Sequence, residues 1–437
     1  MSPDILVTLL ILSLFVGLLL GVPLAFLTGG IGVLFILLID GHPATLTVVL
    51  LTLDRASNFI LLAIPLFIFM GVTMEKSGIA EDLYEAFRVW LGSVRGGLGM
   101  ATTLICTIFG AMVGIAGAAV VSMGLIALPN MLKYKYDKRI ALGIIAAGGT
   151  LGQIIPPSVL MVIYGLAAGV SIGKLFAGGI VAGLLLSALF ITYIGIRSSI
   201  QKDLCPRIVI EEKIPLKDKF RPLVHLVLPA FIVILVLGSI FLGIAAPSEA
   251  AAVGCFGAVL SALVRRRLNW QVIRSAALST IRVNGMVMWV IFGATCFGTV
   301  FARVGGPEIL RSIFSALPFG DWSVIIGTML IVFILGMFLD PNMIIIIVVP
   351  IVVPTVASLG FDSIWFGILF AINLQMSFIT PPFGYSLFYL KGVAPPSVSI
   401  ADIYISVWPF VALQATGMII LMIFPQPVLW FVDLVIR

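Results

Sequence analysis

The sequence predicts an all-α polytopic membrane protein made of inverted-topology repeats, and three observations carry that prediction. Only 10% of its 437 residues are charged while 61% are hydrophobic, and the mean hydropathy is +1.24. A soluble domain carries about 25% charged residues. Apolar runs that reach the ~20 helical residues needed to cross a ~30 Å hydrocarbon core recur from end to end. Two Pro-Pro pairs, Pro156-Pro157 and Pro381-Pro382, interrupt such runs in matching surroundings.

The runs fall near 5–39, 58–75, 98–132, 140–169, 175–196, 224–264, 284–302, 323–359, 364–390 and 406–432. Several exceed one crossing, so roughly 10 to 12 spans are expected. The alternating ten-residue segments of a membrane β-barrel are absent. The start, MSPDILVTLLILSL, has no basic leader and no A-x-A-like cleavage site, and reads as a first span. The net charge of +6 sits in loops between spans, where it orients the chain in the lipid bilayer. No nucleic-acid partner is expected. Cys106, Cys205, Cys255 and Cys296 have neither paired spacing nor a CxxC motif, and are expected as free thiols in apolar surroundings.

The most hydrophilic stretch, 197–222, holds seven Lys/Arg and four Asp/Glu and reads as a cytoplasmic linker between halves 1–196 and 223–437. The halves contain a faint repeat. Residues 129–158 lie over 354–383 without a gap, and Pro129, Asp137, Ala146, Ile154 and both prolines meet identical residues. The first copy's loop NMLKYKYDKR has four Lys/Arg; its counterpart TVASLGFDSI has none. By the positive-inside rule the two loops lie on opposite faces, which makes the repeat inverted. Inverted repeats with discontinuous helices near the midplane characterise secondary transporters.

Paired prolines remove backbone donors and restrict the residues before them, so each helix must break there. Broken backbone is tolerated at membrane depth only when buried in protein or lining a watery cavity. Its carbonyls, with the hydroxyls of Thr150 and Ser158 beside Pro156, offer oxygen ligands to a small hard cation. The second break offers Asn373, Gln375, Ser377 and Thr380 around Pro381. Structural kinks would explain the prolines alone; two repeat-equivalent breaks with hydroxyl neighbours favour an ion or substrate site.

Upstream of each break, turn residues interrupt apolar sequence: FGAMVGIAGAAVVSMG with Gly114 and Gly117, and LGMFLDPNMIIIIVVP with Asp340 and Asn342. Flanks of about 13 residues suit halves of re-entrant hairpins, near 105–127 and 325–353, each followed by a broken helix near 140–169 and 364–390. In DPN, Asp340 is a good N-cap and Pro341 fits the first helical position. A helix starting mid-membrane turns its amides and positive dipole end toward any nearby anion. An intramembrane carboxylate such as Asp340 is also a functional candidate in its own right.

The chain resembles the large membrane subunit (M subunit) of tripartite ATP-independent periplasmic (TRAP) transporters. The matching pieces are residues 61–101, GGTLGQIIPPSVLMVIYG, APSEAAAVG, FARVGGPEIL, LDPNMIIIIVVPIVVPTV and NLQMSFITPPFGYSLF, in family order over nearly the whole length. The resemblance implies a sodium-coupled elevator of the ion-transporter-superfamily kind in the bacterial inner membrane. It also implies a small membrane subunit of Q type and a periplasmic substrate-binding protein as partners, a small organic anion as cargo, and Na+ as coupling ion with no other cofactor. One departure is the first hairpin tip. Family members commonly carry a Ser-Gly-Ser-Ser kind of sequence where this chain has VGIAG, which leaves the tip's carbonyls without hydroxyls beside them.

The expected sodium-binding set is therefore Gly114, Gly117, Thr150, Pro156, Ser158, Asp340, Asn342, Asn373, Thr380 and Pro381. Arg303, Gln153, Gln375 and Ser377 are the candidates for substrate. Arg303 has two readings: a helix-end arginine snorkelling to the interface, or a guanidinium that attracts carboxylate or sulfonate. Glu249 is explained by a Pro-Ser-Glu helix start, and Arg265, Arg266 and Arg267 by a positive-inside anchor. GVSIGKL is not a nucleotide loop, since three residues separate its glycines and Leu175 replaces the Ser/Thr that would hold magnesium. No HExxH occurs and His42 and His225 are the only histidines, so no enzyme is expected. A channel fits midplane hairpins less well than an occluding carrier does. The nearer rival is a stand-alone sodium-coupled anion carrier of the same architecture that needs no binding protein.

Overall fold

The computed structural model describes residues 2–207, 216–315 and 320–436, and every regular element among them is helical. The first half runs α1 Pro3–Leu19, α2 Leu24–Asp40, α3 Thr45–Ala56, α4 Ala63–Lys76, α5 Ile79–Leu91, α6 Gly97–Val113, α7 Ala116–Lys133, α8 Lys138–Thr150, α9 Val159–Ala168 and α10 Ile172–Ile200. The second runs α11 Leu216–Phe241, α12 Pro247–Val264, α13 Trp270–Arg303, α14 Gly306–Ser315, α15 Trp322–Gly336, α16 Pro341–Ser358, α17 Ser363–Phe378, α18 Tyr385–Val393, α19 Ile400–Ile423 and α20 Gln426–Val435. Among the described residues, 7 helical segments are long and apolar enough to cross a membrane, and others such as Pro3–Leu18 and Ala25–Asp40 are apolar but shorter. Turns inside the apolar runs, as at Gly21–Pro23, account for the difference from the roughly 10 to 12 spans expected. α10 extends to Ile200 and α11 begins at Leu216, so helix enters both ends of the expected linker 197–222, and 208–215 lie outside the described residues.

The repeat extends far beyond the thirty residues in which sequence betrays it. The shift that carries Pro129 onto Pro354 also carries α7 onto α16 end for end, α8 onto α17, α9 onto α18, α6 onto α15 and α2 onto α12 within two residues at each end, save that α17 continues one turn further. The starts are built alike. Asp137 accepts from the amides of Arg139 and Ile140 (3.0 and 3.1 Å), and Asp362 from those of Ile364 and Trp365 (2.8 Å each). Packing is reciprocal as well: α2 lies on α13 while α12 lies on α4, and α7 meets α18 while α16 meets α9. Reciprocal contacts of this kind are the mark of two-fold symmetry.

Ion pairs obey the same relation. Asp40, ending α2, pairs with Arg303, ending α13, at 2.9 Å. The same shift turns position 40 into Arg265, which pairs with Asp82 and donates to the carbonyl of Gly78, the counterpart of Arg303, at 3.2 Å. Arg265 is thus a specific clamp between α12 and the α4–α5 turn, beyond the anchor read from sequence. Glu249 accepts from the amide of Ala246 at 2.8 Å, as a helix-start residue should.

One end of the molecule gathers the starts of α6 and α8 with the ends of α7 and α10. The amide of Asp137 donates to Leu204 (2.8 Å), that of Gly96 to Cys205 (3.2 Å), and the Ser198 hydroxyl to Arg95 (3.3 Å). Arg95, Lys133, Lys135, Lys138, Arg139 and Arg197 lie there. The repeat-equivalent end carries aromatics instead, Trp322, Phe361 and Trp365 in mutual ring contact at 5.3 to 6.0 Å, with Asp321 and Asp362 beside them. The four cysteines are free; Cys106, Cys205 and Cys296 are buried, and burial pushes the Cys205 thiol up to about 12.

Small residues permit the close helix contacts expected without water between helices. A Cβ on Gly293 of α13 would strike the Ala25 carbonyl of α2, whereas one on Gly285 of the same helix would meet nothing within 4 Å. Gly293→Ala should therefore destabilise the protein by about 1–3 kcal/mol, from overpacking. Gly285→Ala should be neutral or stabilise by about 0.4–1 kcal/mol. Thermal unfolding of the two variants in detergent checks the contrast.

Candidate functional site

Three interruptions of the chain meet at one cavity inside the fold, while the fourth, at Pro381-Pro382, runs out to exposed Pro382 and Phe383. The α6–α7 turn is residues 114–115: Gly114 takes φ +68 and its amide donates to Gly110 at 2.9 Å. The α15–α16 turn ends on Asp340, whose carboxylate accepts from the Asn342 amide at 2.9 Å, with Pro341 opening the helix. After α8, a short turn at Leu151–Gln153 leads into the Pro156-Pro157 pair, and Ser158 caps α9. After α17, the chain passes Pro381-Pro382 to Gly384 and α18. Both Pro-Pro bonds are cis.

Each hairpin tip is seated on the break of its own half. A Cβ on Gly114 would collide with the Pro157 carbonyl, and one on Gly110 would come within 2.8 Å of the Gly152 Cα. In the second half a Cβ on Gly336 would collide with the Ser377 hydroxyl. The hydroxyls of the breaks donate to their own backbone: Thr150 to Ala147 (2.7 Å), Ser158 to Gln153 (2.5 Å), Ser377 to Leu374 (2.9 Å) and Thr380 to Met376 (2.8 Å). A donated proton leaves oxygen lone pairs free, so these hydroxyls remain acceptors.

Between the junctions lies a cavity of about 160 Å³. Five expected site residues line it: Gly114, Gly117, Gln153, Asp340 and Asn342. Three helices begin at its wall, α7 through Ala116, α9 through Val159 and α16 through Pro341. Their positive dipole ends favour an anion at the wall, with the Asp340 carboxylate, which caps α16, as the opposing charge. The Gln153 side-chain oxygen is buried and has no hydrogen-bond partner among the described residues. Ile68 of α4 and Val283 and Met286 of α13 close the remaining side.

Other candidates stand elsewhere. Thr150, Pro156, Ser158, Ser377, Thr380 and Pro381 form the breaks and do not line the cavity. Gln375 is fully buried outside it, and neither polar atom of its side chain has a partner among the described residues. Asn373 faces away: its amide donates to Met329 at 2.6 Å, and its side lines an apolar cavity of about 560 Å³ between α15, α17 and α19. Arg303 is held by Asp40 at the end of α13, also outside the central cavity. Flank lengths differ from the expected 13 or so: the hairpin limbs have 17 and 18 residues in the first half and 15 and 18 in the second, because helix continues past the glycines and prolines taken as limits.

Sequence reading missed Tyr389, which lines the cavity, and Phe378, whose ring stacks on Tyr385 at 5.7 Å. A signal for Tyr389 existed, since it and Tyr164 follow their Pro-Pro pairs at equal spacing. Among the described residues no group of three or more His, Cys, Asp or Glu could hold a metal. The donors offered are carbonyls, hydroxyls, amide oxygens and one carboxylate, a set suited to a hard cation and not to a soft transition metal.

Apolar helices from end to end, broken and capped inside the fold around a cavity where Gln153, Asp340 and Asn342 stand among apolar side chains, define a multi-pass membrane permease. Residues 11–427 match the family described as tripartite ATP-independent periplasmic transporter, DctM component. The chain belongs to this family, is a transport protein and no enzyme, and resides in the bacterial inner membrane. It is 31% identical to the C4-dicarboxylate TRAP transporter large permease protein DctM of Vibrio cholerae, over 94% of each chain. It is also 31% identical to the isethionate TRAP transporter permease protein DctMQ of Oleidesulfovibrio alaskensis, over 86% of this chain and 58% of that one. In structure it is similar to the Alcanivorax borkumensis YdaH transporter, with TM-score 0.65 and 14% identity over 94% of this chain and 99% of that one; this likeness concerns the fold alone. Membership of a tripartite periplasmic system implies a substrate-binding protein as partner.

Gly114→Ala should combine left-handed strain with a collision against Pro157. Gly169 also takes positive φ, at +66, but has nothing within 4 Å. Gly169→Ala should therefore lose only about 1 kcal/mol, while Gly114→Ala should lose about 1–3 kcal/mol more. Melting temperatures in detergent would rank the two.

Proposed function

We infer that this chain is the transport-path subunit of a sodium-coupled symporter importing a small organic anion by an elevator movement. The observation that carries this reading is the cavity at which both hairpin tips, the Gln153 break and three helix starts converge. Sodium ions bind at the two tip–break junctions, Gly110/Gly114 against Gly152/Pro157 and Gly336 against Ser377, where carbonyls and the hydroxyls of Thr150, Ser158, Ser377 and Thr380 lie close. Their charge and the helix dipoles favour an anion in the cavity. Because the ion-loaded form binds the anion better, the sodium gradient drives uptake. Carboxylate or sulfonate cargo accords with relatives named for C4-dicarboxylate and isethionate.

The basic end faces the cytoplasm, which sets the repeat-equivalent aromatic end outside and makes halves 1–196 and 223–437 inverted. The turns at Gly114 and Asp340 end inside the fold at the central cavity, which supports reading both hairpins as re-entrant. The reciprocal α2–α13 and α4–α12 contacts form the scaffold against which the hairpins and broken helices slide. Exposed apolar side chains such as Leu38, Ile244 and Phe256 leave faces for a Q-type small subunit as well as lipid. A periplasmic substrate-binding protein delivers the anion.

Proteoliposome uptake of a panel of labelled carboxylates and sulfonates, with and without a sodium gradient and candidate binding proteins, tests the reading. Uptake should require both, whereas sodium-driven uptake without any binding protein would establish the stand-alone carrier. Asp340→Ala and Thr150→Ala should each raise the sodium concentration for half-maximal uptake by about tenfold, roughly 1.4 kcal/mol of ion affinity. An unchanged sodium response in both variants removes these residues from the mechanism.

A further inference from the structure

The basic end holds a cavity of about 310 Å³ that the transport cycle leaves unused, between the start of α8, the last turns of α10 and the first turns of α19. Arg139 and Arg197 line it together with Tyr193, Gln201, Asp137 and Ile405. Among the described residues neither guanidinium has a hydrogen-bond or ion-pair partner, although the adjacent Lys138 is paired with Asp402 at 2.6 Å. Asp137 is the only carboxylate in the lining among the described residues, and one of its oxygens is committed to the amides that begin α8. Among the described residues, two guanidinium groups against one carboxylate leave the cavity one positive charge in excess.

The surroundings place this charge at the edge of the hydrocarbon. Ile196, Ile200, Ile405 and Trp408 are all exposed beside it, and tryptophan favours the headgroup level of a bilayer. Arginine forks match phosphate oxygens in pairs, and basic pockets between membrane helices suit lipid headgroups. We propose that this cavity binds the headgroup of an anionic phospholipid, with its phosphodiester between Arg139 and Arg197 and an acyl chain along Ile405 and Trp408. A phosphodiester carries the single negative charge that balances the excess. A hydroxylated headgroup such as glycerol adds donors for the free oxygen of Asp137 and for Gln201. A choline headgroup would instead set a second cation against the arginines. The bound lipid ties α8 to α10 and α19 at their shared end.

Native mass spectrometry of the full chain, delipidated in detergent and titrated with phosphatidylglycerol or phosphatidylcholine, tests the site. The wild type should retain phosphatidylglycerol at about tenfold lower concentration, a difference of roughly 1.4 kcal/mol. Arg139→Gln combined with Arg197→Gln should abolish this preference, and Lys133→Gln, which alters a basic residue outside the cavity, should preserve it. Both arginines are exposed, so the single Arg197→Gln variant, checked for a monodisperse elution profile, replaces the pair if the double variant does not fold; it should weaken the preference severalfold. An equal affinity for both lipids, a preference unchanged by the arginine substitutions, or equally tight binding of inorganic phosphate alone would overturn the proposal.

Discussion

Inside a bilayer every backbone amide and carbonyl that leaves a helix must find a partner in the protein, because lipid offers none. Interruptions in such a chain are tolerable only where protein buries them or they line a watery cavity. The fold supplies that arrangement: Gly114 presses on the first break, Gly336 on the second, and three helix starts share one cavity with Gln153 and Asp340. Side-chain caps meet part of the demand, with Ser158 at α9, Asp340 at α16, Asp137 at α8 and Asp362 at α17. The groups left over are the ones on which the proposed cation and anion sites draw.

Two-fold correspondence between the halves explains why these interruptions meet. Once α7 lies on α18, the same geometry places α16 on α9, and both hairpin turns and the first break converge on one cavity, with Phe378 and Tyr389 reaching it from the second. The pairs of α2 with α13 and α12 with α4 follow the same rule, with Asp40–Arg303 at one site and Arg265–Asp82 at its equivalent. Opposite charges occupy equivalent positions 40 and 265, so each copy answers to its own surroundings. The basic cluster around Lys138 and the aromatic cluster around Trp322 differ in the same way.

Much of this was legible in the residues. Hydropathy gives the class, the prolines give the breaks, and DPN gives the start of α16 with its cap. The motifs also pointed to the family that the comparison established. Arg303 was not legible, because a lone arginine at a helix end gives no sign of its partner until α2 brings Asp40 to it. Asn373 and Gln375 share a break with Ser377, yet helical rotation sends Asn373 toward α15 and buries Gln375 outside the cavity. Spacing along the chain cannot separate such neighbours without knowing which helix packs on which face.

By itself the sequence determined the solvent, the helical class, the breaks at the two proline pairs, the start of α16 and the existence of two related halves. Each of these is a local property: apolar content, a missing amide hydrogen, a capping side chain, a repeated spacing. Only the tertiary structure decided that the repeat spans nearly the whole chain, that Tyr389 and Met286 wall the central cavity, and that Arg303 and Arg265 serve as clamps. Those outcomes depend on contacts between residues far apart in the chain. Lipid-exposed helices of similar hydropathy carry little information about their partners, so packing and not composition makes the choice.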